Sequence, residues 1–298
     1  MKRFLIQITV FLGLASIGFA LLLSRADGYT DSYYLRFASP QQESLILGTS
    51  KAAQGIHPQI LDSICGTRFF NYAFTVDHSP YGETYLNSIK KKIKKGEKPG
   101  IFILTVDPWS ISTRKENIGK PSQFRELERC LANTSAVAVN PNYEYLLKNL
   151  SGSYHTTVFK KTSPIFLHDN GWLEVTINMD SAKVEKSIQS KYETYKKDML
   201  PNYQYSQIRF EALKTTIEFL NTHGDVYLVR LPIHPKMMAI ENELMPDFDD
   251  KLKTLIPLTK GYKNMTDLND QLIYTDGNHL YKTSGKEVSR RIAEWIKS

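Results

Sequence analysis

Gly48-Thr49-Ser50 and, far along the chain, Asp276-Gly277-Asn278-His279 hold the side chains best suited to covalent chemistry. A serine hydroxyl is a weak nucleophile until an adjacent base takes its proton. An imidazole does this when a carboxylate accepts a hydrogen bond from its other ring nitrogen and fixes its tautomer. Asp276 and His279 stand three residues apart, and Gly277-Asn278 favours a turn that lets them meet. The chemistry would be acyl transfer: Ser50 attacks, His279 accepts the proton, and Asp276 orients the ring. Each piece also has a plainer role open to it. Ser50 would cap a helix, and Asp276 would form a turn beside an exposed His279.

These residues need a scaffold that joins distant segments at one edge. Ser44 to Gly48 read as a buried strand ending in a glycine, so Ser50 would stand above the carboxyl end of a sheet, where open α/β folds bind ligands. A short helix is expected from His57-Pro58 to Ile64, and a second strand over Arg68 to Phe74. Ser79-Pro80 has the form of a helix start, with Tyr85, Leu86, Ile89 and Ile93 on one face. Unbroken apolar strands are expected over Ile101 to Val106 and Asp225 to Leu231, and a weaker one over Tyr262 to Met265. Helices are expected from Tyr205 to Asn221, within Lys236 to Leu255, and from Gly285 to Ile296, the last opened by a Ser284/Glu287 capping box. The alternation predicts an α/β fold, a doubly wound and mainly parallel sheet. The stretch 109–202 breaks the rhythm and is expected to be an inserted cap. It holds a hairpin signal at Asn170-Gly171 and a helix from Ala182 to Met199.

Phe4 to Leu23 contain no charged residue, enough for a helix of about 30 Å, the thickness of a bilayer core. Lys2 and Arg3 precede it and favour a cytoplasmic N-terminus. The segment 1–26 is therefore expected to be an uncleaved membrane anchor, with a cleaved signal peptide or a buried core helix as alternatives. Residues 27–298 form the expected α/β domain, periplasmic or extracellular. The net charge of +7 resolves into two from Lys2 and Arg3, five from the run Lys90 to Lys98, and zero from the rest. Without a distributed basic surface, nucleic-acid binding loses its electrostatic footprint. The lysine run falls at a helix C-terminus, where cations offset the dipole; contact with lipid headgroups or an acidic glycan is the alternative. Cys65 and Cys130 would either pair or remain two separate thiols. No metal-ligand spacing is present.

Taken together, a serine after the first strand and Asp-x-x-His before the last helix resemble the SGNH/GDSL hydrolase superfamily. Within it, the chain resembles the membrane-anchored branch related to alginate acetylation proteins and the D-alanyl-lipoteichoic acid protein DltD. Leu45-Ile46-Leu47-Gly48-Thr49-Ser50-Lys51 matches the first block, and Asp276 with His279 the last. Phe70-Asn71-Tyr72-Ala73-Phe74 with Ser79-Pro80-Tyr81 resembles the second, and Arg230-Leu231-Pro232-Ile233-His234-Pro235 a strand-end segment of this branch. The resemblance implies a flavodoxin-like three-layer fold and cofactor-free ester chemistry with Ser50 as nucleophile. Two departures concern the oxyanion. Val76 stands where the second block usually has Gly, and Val106-Asp107-Pro108-Trp109 where the third usually offers Gly-x-Asn-Asp. An ionised Asp107 donates nothing and would repel an oxyanion. Asn71, the Val76 N–H and His234 are the candidates left for oxyanion or substrate contact.

The expected function is a membrane-anchored serine esterase or O-acyltransferase. Its expected substrate is an acylated envelope glycan or lipid-linked carbohydrate, with Trp172 and insertion tyrosines available to stack on sugar rings. A multi-span membrane acyltransferase is the partner the transfer alternative admits. A catalytically poor binding protein in envelope polysaccharide assembly is the rival reading, and an anchored domain without a site a third.

Overall fold

The computed structural model describes residues 1–94, 96, 99–150, 157 and 163–298. The chain opens with α1 (Lys2–Leu23) and α2 (Tyr34–Ala38), then β1 (Ser44–Leu47), α3 (Ser50–Gly55), α4 (Pro58–Cys65), β2 (Phe69–Asn71), α5 (Glu83–Lys92) and β3 (Gly100–Thr105). The insertion holds β4 (Ser112–Arg114), α6 (Cys130–Asn133), α7 (Tyr143–Asn149), β5 (Ile165–Leu167), β6 (Leu173–Val175), α8 (Ser181–Thr194) and β7 (Tyr203–Tyr205). There follow α9 (Gln207–Asn221), β8 (Gly224–Arg230), α10 (Pro235–Leu244), α11 (Phe248–Leu252), β9 (Gly261–Asn264) and α12 (Lys282–Lys297).

Five strands form one parallel sheet in the order β2-β1-β3-β8-β9. Because side chains alternate along a strand, its two faces feed two cores. Leu45, Leu47, Phe102, Leu104, Val226 and Leu228 pack with Ile89 of α5 and Ile217 of α9. Ile46, Ile103 and Val229 pack with Ala52 of α3, Leu61 of α4, and Val288 and Ile292 of α12. Each fully buried aliphatic side chain of this kind contributes about 1.5–3 kcal/mol. Helices thus cover both faces, and all five strands carry their carboxyl ends to one edge.

Several local expectations need correction. Ser79 does not cap α5, which starts at Glu83. It is buried, and its hydroxyl donates to Gly48 O (2.7 Å) and accepts from Phe74 N (3.1 Å), tying the β2 exit to the β1 turn. Ser284 lies inside α12 and accepts from Ile273 N, so the capping box does not form. The single helix expected before Leu255 is two, α10 and α11, split at Met245-Pro246, where the residue before proline leaves the helical region. The Asn170-Gly171 hairpin forms as β5 and β6, with Gly171 at φ 81°. Cys65 and Cys130 are both free, and they lie in the cores on opposite sides of the sheet.

The lysine run is built into the structure. Lys92 is fully buried and donates to Arg36 O (2.8 Å) and Ser39 Oγ (2.7 Å), Lys91 donates to Ser135 O, and Lys94 pairs with Glu43. Lys95, Glu97 and Lys98 lie outside the described residues. Helix α1 is 22 residues long and exposed through most of its length, with Leu23 at its end entering the core. It is apolar enough to be a membrane anchor or a signal sequence. A buried core helix is excluded by that exposure.

Candidate active site

The β1 turn aims Ser50 upward. Gly48 has φ 139°, and a Cβ there would lie 1.9 Å from Thr105 Oγ1, so only glycine lets β1 turn this close to β3. Ser50 then opens α3, half-buried, and its own N–H has no acceptor within the helix. On the opposite side of the edge, Tyr274 and Leu280 bridge antiparallel and Thr275 N donates to His279 O (2.9 Å), closing a tight loop around Gly277 at φ 87°. His234 N donates to Gly277 O (3.0 Å) and docks this loop on the exit of β8.

The two segments meet. Ser50 Oγ lies 2.8 Å from His279 Nε2, and His279 Nδ1 lies 2.8 and 2.9 Å from the two carboxylate oxygens of Asp276. A carboxylate at Nδ1 assigns the ring proton there, which leaves Nε2 free to accept from Ser50. Asp276 Oδ1 also accepts from the N–H groups of Asn278 and His279, both at 3.1 Å. Burial works against the Asp276 charge. The contacts with His279 and with Lys191 Nζ, 3.1 Å from Oδ2, overcome it and hold the carboxyl below the usual carboxylate range.

Next to Ser50, Lys51 turns inward. Its Nζ bonds Glu241 of α10 and lies 3.3 Å from Asp107 Oδ2. Arg230 Nη2 lies 3.5 Å from the other Glu241 oxygen and Arg230 Nη1 2.9 Å from Asp249. Burial opposes the Lys51 charge, but Asp107 and Glu241 reverse that and raise its pKa. Asp107 is therefore not a bare charge facing an oxyanion. Oδ2 pairs with Lys51, while Oδ1 accepts from Ser110 N (2.9 Å) to cap the turn after β3.

The other sequence candidates divide. Asn71 is fully buried, and its amide donates to Ala52 O (2.9 Å) and Ile56 O (3.0 Å), tying down the C-terminal end of α3. Both donors are engaged, so Asn71 supplies none to an oxyanion; it is a clamp beneath α3. His234 Nδ1 accepts from Lys236 N to cap α10, and its backbone N–H holds the Asp276 loop through Gly277 O. Val76 packs its side chain against the cluster of Trp109, Ile233 and Met237, and no described hydrogen bond occupies its backbone N–H. Trp172 is buried, stacked between His57 and His168 at 4.0 and 4.6 Å, with Nε1 donating to Gln54 O. It fastens the hairpin to α3 and is not open to a sugar ring.

No family model matches this chain, and no curated protein matches it. The site must be read from its own geometry. A hydroxyl, an imidazole and a carboxylate in series, with the hydroxyl half-exposed at a sheet edge, can pass a proton away from Ser50 as it attacks a carbonyl. Reasoning from sequence missed Lys191, since a lysine on an amphipathic helix carries no mark of its target. It quoted Lys51 within the first block without seeing that the side chain would turn into the core.

Proposed function

We propose that this chain is a membrane-anchored serine esterase or O-acyltransferase of the SGNH type, working outside the cytoplasm on acyl esters of an envelope glycan or lipid-linked carbohydrate. The single observation that carries the reading is the 2.8 Å approach of Ser50 Oγ to His279 Nε2, backed by Asp276 at 2.8 Å from Nδ1. Ser50 Oγ bonds to the ester carbonyl carbon while its proton passes to His279 Nε2. The alcohol leaves with that proton, and water or a sugar hydroxyl then takes the acyl group from Ser50. The parallel sheet and the apolar α1 are compatible with this reading. The test is reaction with a fluorophosphonate probe, followed by mass spectrometry of the adduct. Labelling of Ser50 supports the enzyme. Absence of labelling in folded protein favours the rival, a binding protein of envelope assembly, for which the engaged amide of Asn71 and the lack of a donor on Asp107 speak.

A further inference from the structure

Attack on an ester drives a pair of electrons onto the carbonyl oxygen, and a site of this kind needs donors aimed at that oxygen. Asn71 is engaged, and the two Asp107 oxygens are taken up by Lys51 and by Ser110 N. The insertion brings another group to the same place. Lys191 on α8 reaches Asp276, and Tyr195 follows four residues later on the same helical face, at the start of a π-helical turn over Tyr195–Met199. Such turns recur at functional sites. The Tyr195 ring meets Trp109 edge to face, with centroids 5.0 Å apart, and Trp109 lies two residues beyond Asp107 at the end of β3. One face of the insertion helix thus spans from the triad carboxylate to the β3 exit. Ser50 is joined to that carboxylate through His279, and it opens α3 at the exit of β1, the sheet neighbour of β3.

The surroundings of Tyr195 suit a donor. The Asn278 side chain is a hydrogen-bonding neighbour of the phenol. Burial, with Asp107, Asp276 and Glu241 nearby, pushes the phenol pKa upward, so it keeps its proton. Trp109 Nε1 and Asn278 Oδ1 are buried polar atoms without a hydrogen-bond partner among the described residues. Unpartnered buried groups call for an explanation, a catalytic role among them. Tyr195 itself is half-buried and borders a surface cavity of about 580 Å³ along α8.

We propose that the Tyr195 hydroxyl, held over the end of β3 by Trp109 and Asn278, donates a hydrogen bond to the oxyanion formed when Ser50 attacks its ester. This rests on the serine-esterase reading above. As the Ser50 Oγ–carbon bond forms, the carbonyl π pair becomes the oxyanion, and the Ser50 proton goes to His279. The oxyanion accepts from Tyr195 and from the Ser50 N–H, then collapses as the alcohol departs with the proton of His279.

The experiment compares the full-length protein with Tyr195→Phe and Ser50→Ala, using hydrolysis of p-nitrophenyl acetate and thermal unfolding of each. Y195F is expected to lower kcat by about 10²–10³-fold, the effect of losing one oxyanion donor, with KM changed far less and the fold intact. A Y195F that matches an active wild type overturns the role of Tyr195 alone. A fall confined to KM overturns it too, since Tyr195 would then contact only the ground state. A folded wild type without activity overturns the esterase reading and the Tyr195 role with it. If Y195F does not fold at the assay temperature, Tyr195→Met, flexible enough to fill the space against Trp109, is read by the same criteria.

Discussion

Ser50 and Lys51 are neighbours in the chain and part company in the structure. Ser50 faces the open edge of the sheet in a relay with His279 and Asp276. Lys51 points beneath it into a buried cluster with Asp107, Glu241 and Arg230. Both groups are built from polar side chains joined at hydrogen-bond distance. They differ in what is left over. In the relay the terminal hydroxyl remains half-exposed and can change partners. In the buried cluster each charge depends on another for its solvation, and removing one strands the rest. Connected polar residues at a sheet edge are thus not sufficient evidence of chemistry; an exposed end is what separates a site from a brace.

Ser50→Ala should have the largest effect on activity. It should abolish ester hydrolysis and fluorophosphonate labelling while stability changes by no more than about 0.5 kcal/mol. A loss of several kcal/mol in urea unfolding would place Ser50 with Lys51 among the braces and break the comparison. Asp276→Asn should come next: the imidazole would be held in the wrong tautomer, and kcat should fall by about 10⁴-fold, as in other triads, with substrate saturation still observed.

Lys51→Met should do the opposite of S50A. It leaves Asp107 and Glu241 buried without their shared cation, and unfolding by urea should show a loss of about 3–5 kcal/mol. A K51M protein as stable as wild type would mean that the cluster is dispensable. Lys191→Ala should have the smallest effect, since a single partly exposed pair is worth about 0–1 kcal/mol. Its direction is informative. A carboxyl held low in the folded state contributes stability that is complete above its unfolded value near 3.9 and is lost as pH falls through the folded value. Without Lys191 that loss should be smaller and should be complete at higher pH, which unfolding curves between pH 2 and 5 would detect. Identical acid limbs would show that Lys191 does nothing to hold Asp276 down.

Much of the scaffold was legible beforehand because it rests on local patterns. The runs around Leu45, Ile103 and Val229 are apolar on both alternating faces, and only a sheet covered on two sides buries both. The Asn170-Gly171 turn and the helix leading to Met199 followed from turn chemistry and periodicity. Capping signals failed where burial offered the same hydroxyl a better partner. Ser79 and Ser284 have the residue type of a cap, but each serves a distant backbone group instead.

By itself the sequence determined the apolar N-terminal helix, the alternation that makes a parallel α/β sheet, the glycine that lets β1 turn, and the turn that joins Asp276 to His279. Each depends on residues within a few positions of one another, where steric limits and side-chain period act directly. Only the tertiary structure decided that Ser50 meets His279 across 229 residues, that Asn71 clamps α3, that Lys51 neutralises Asp107, and that Lys191 reaches Asp276. Those outcomes turn on where a long side chain finds its partner once strands have stacked. Local spacing carries no record of it, because contacts between distant residues are chosen by the burial and packing of the whole chain.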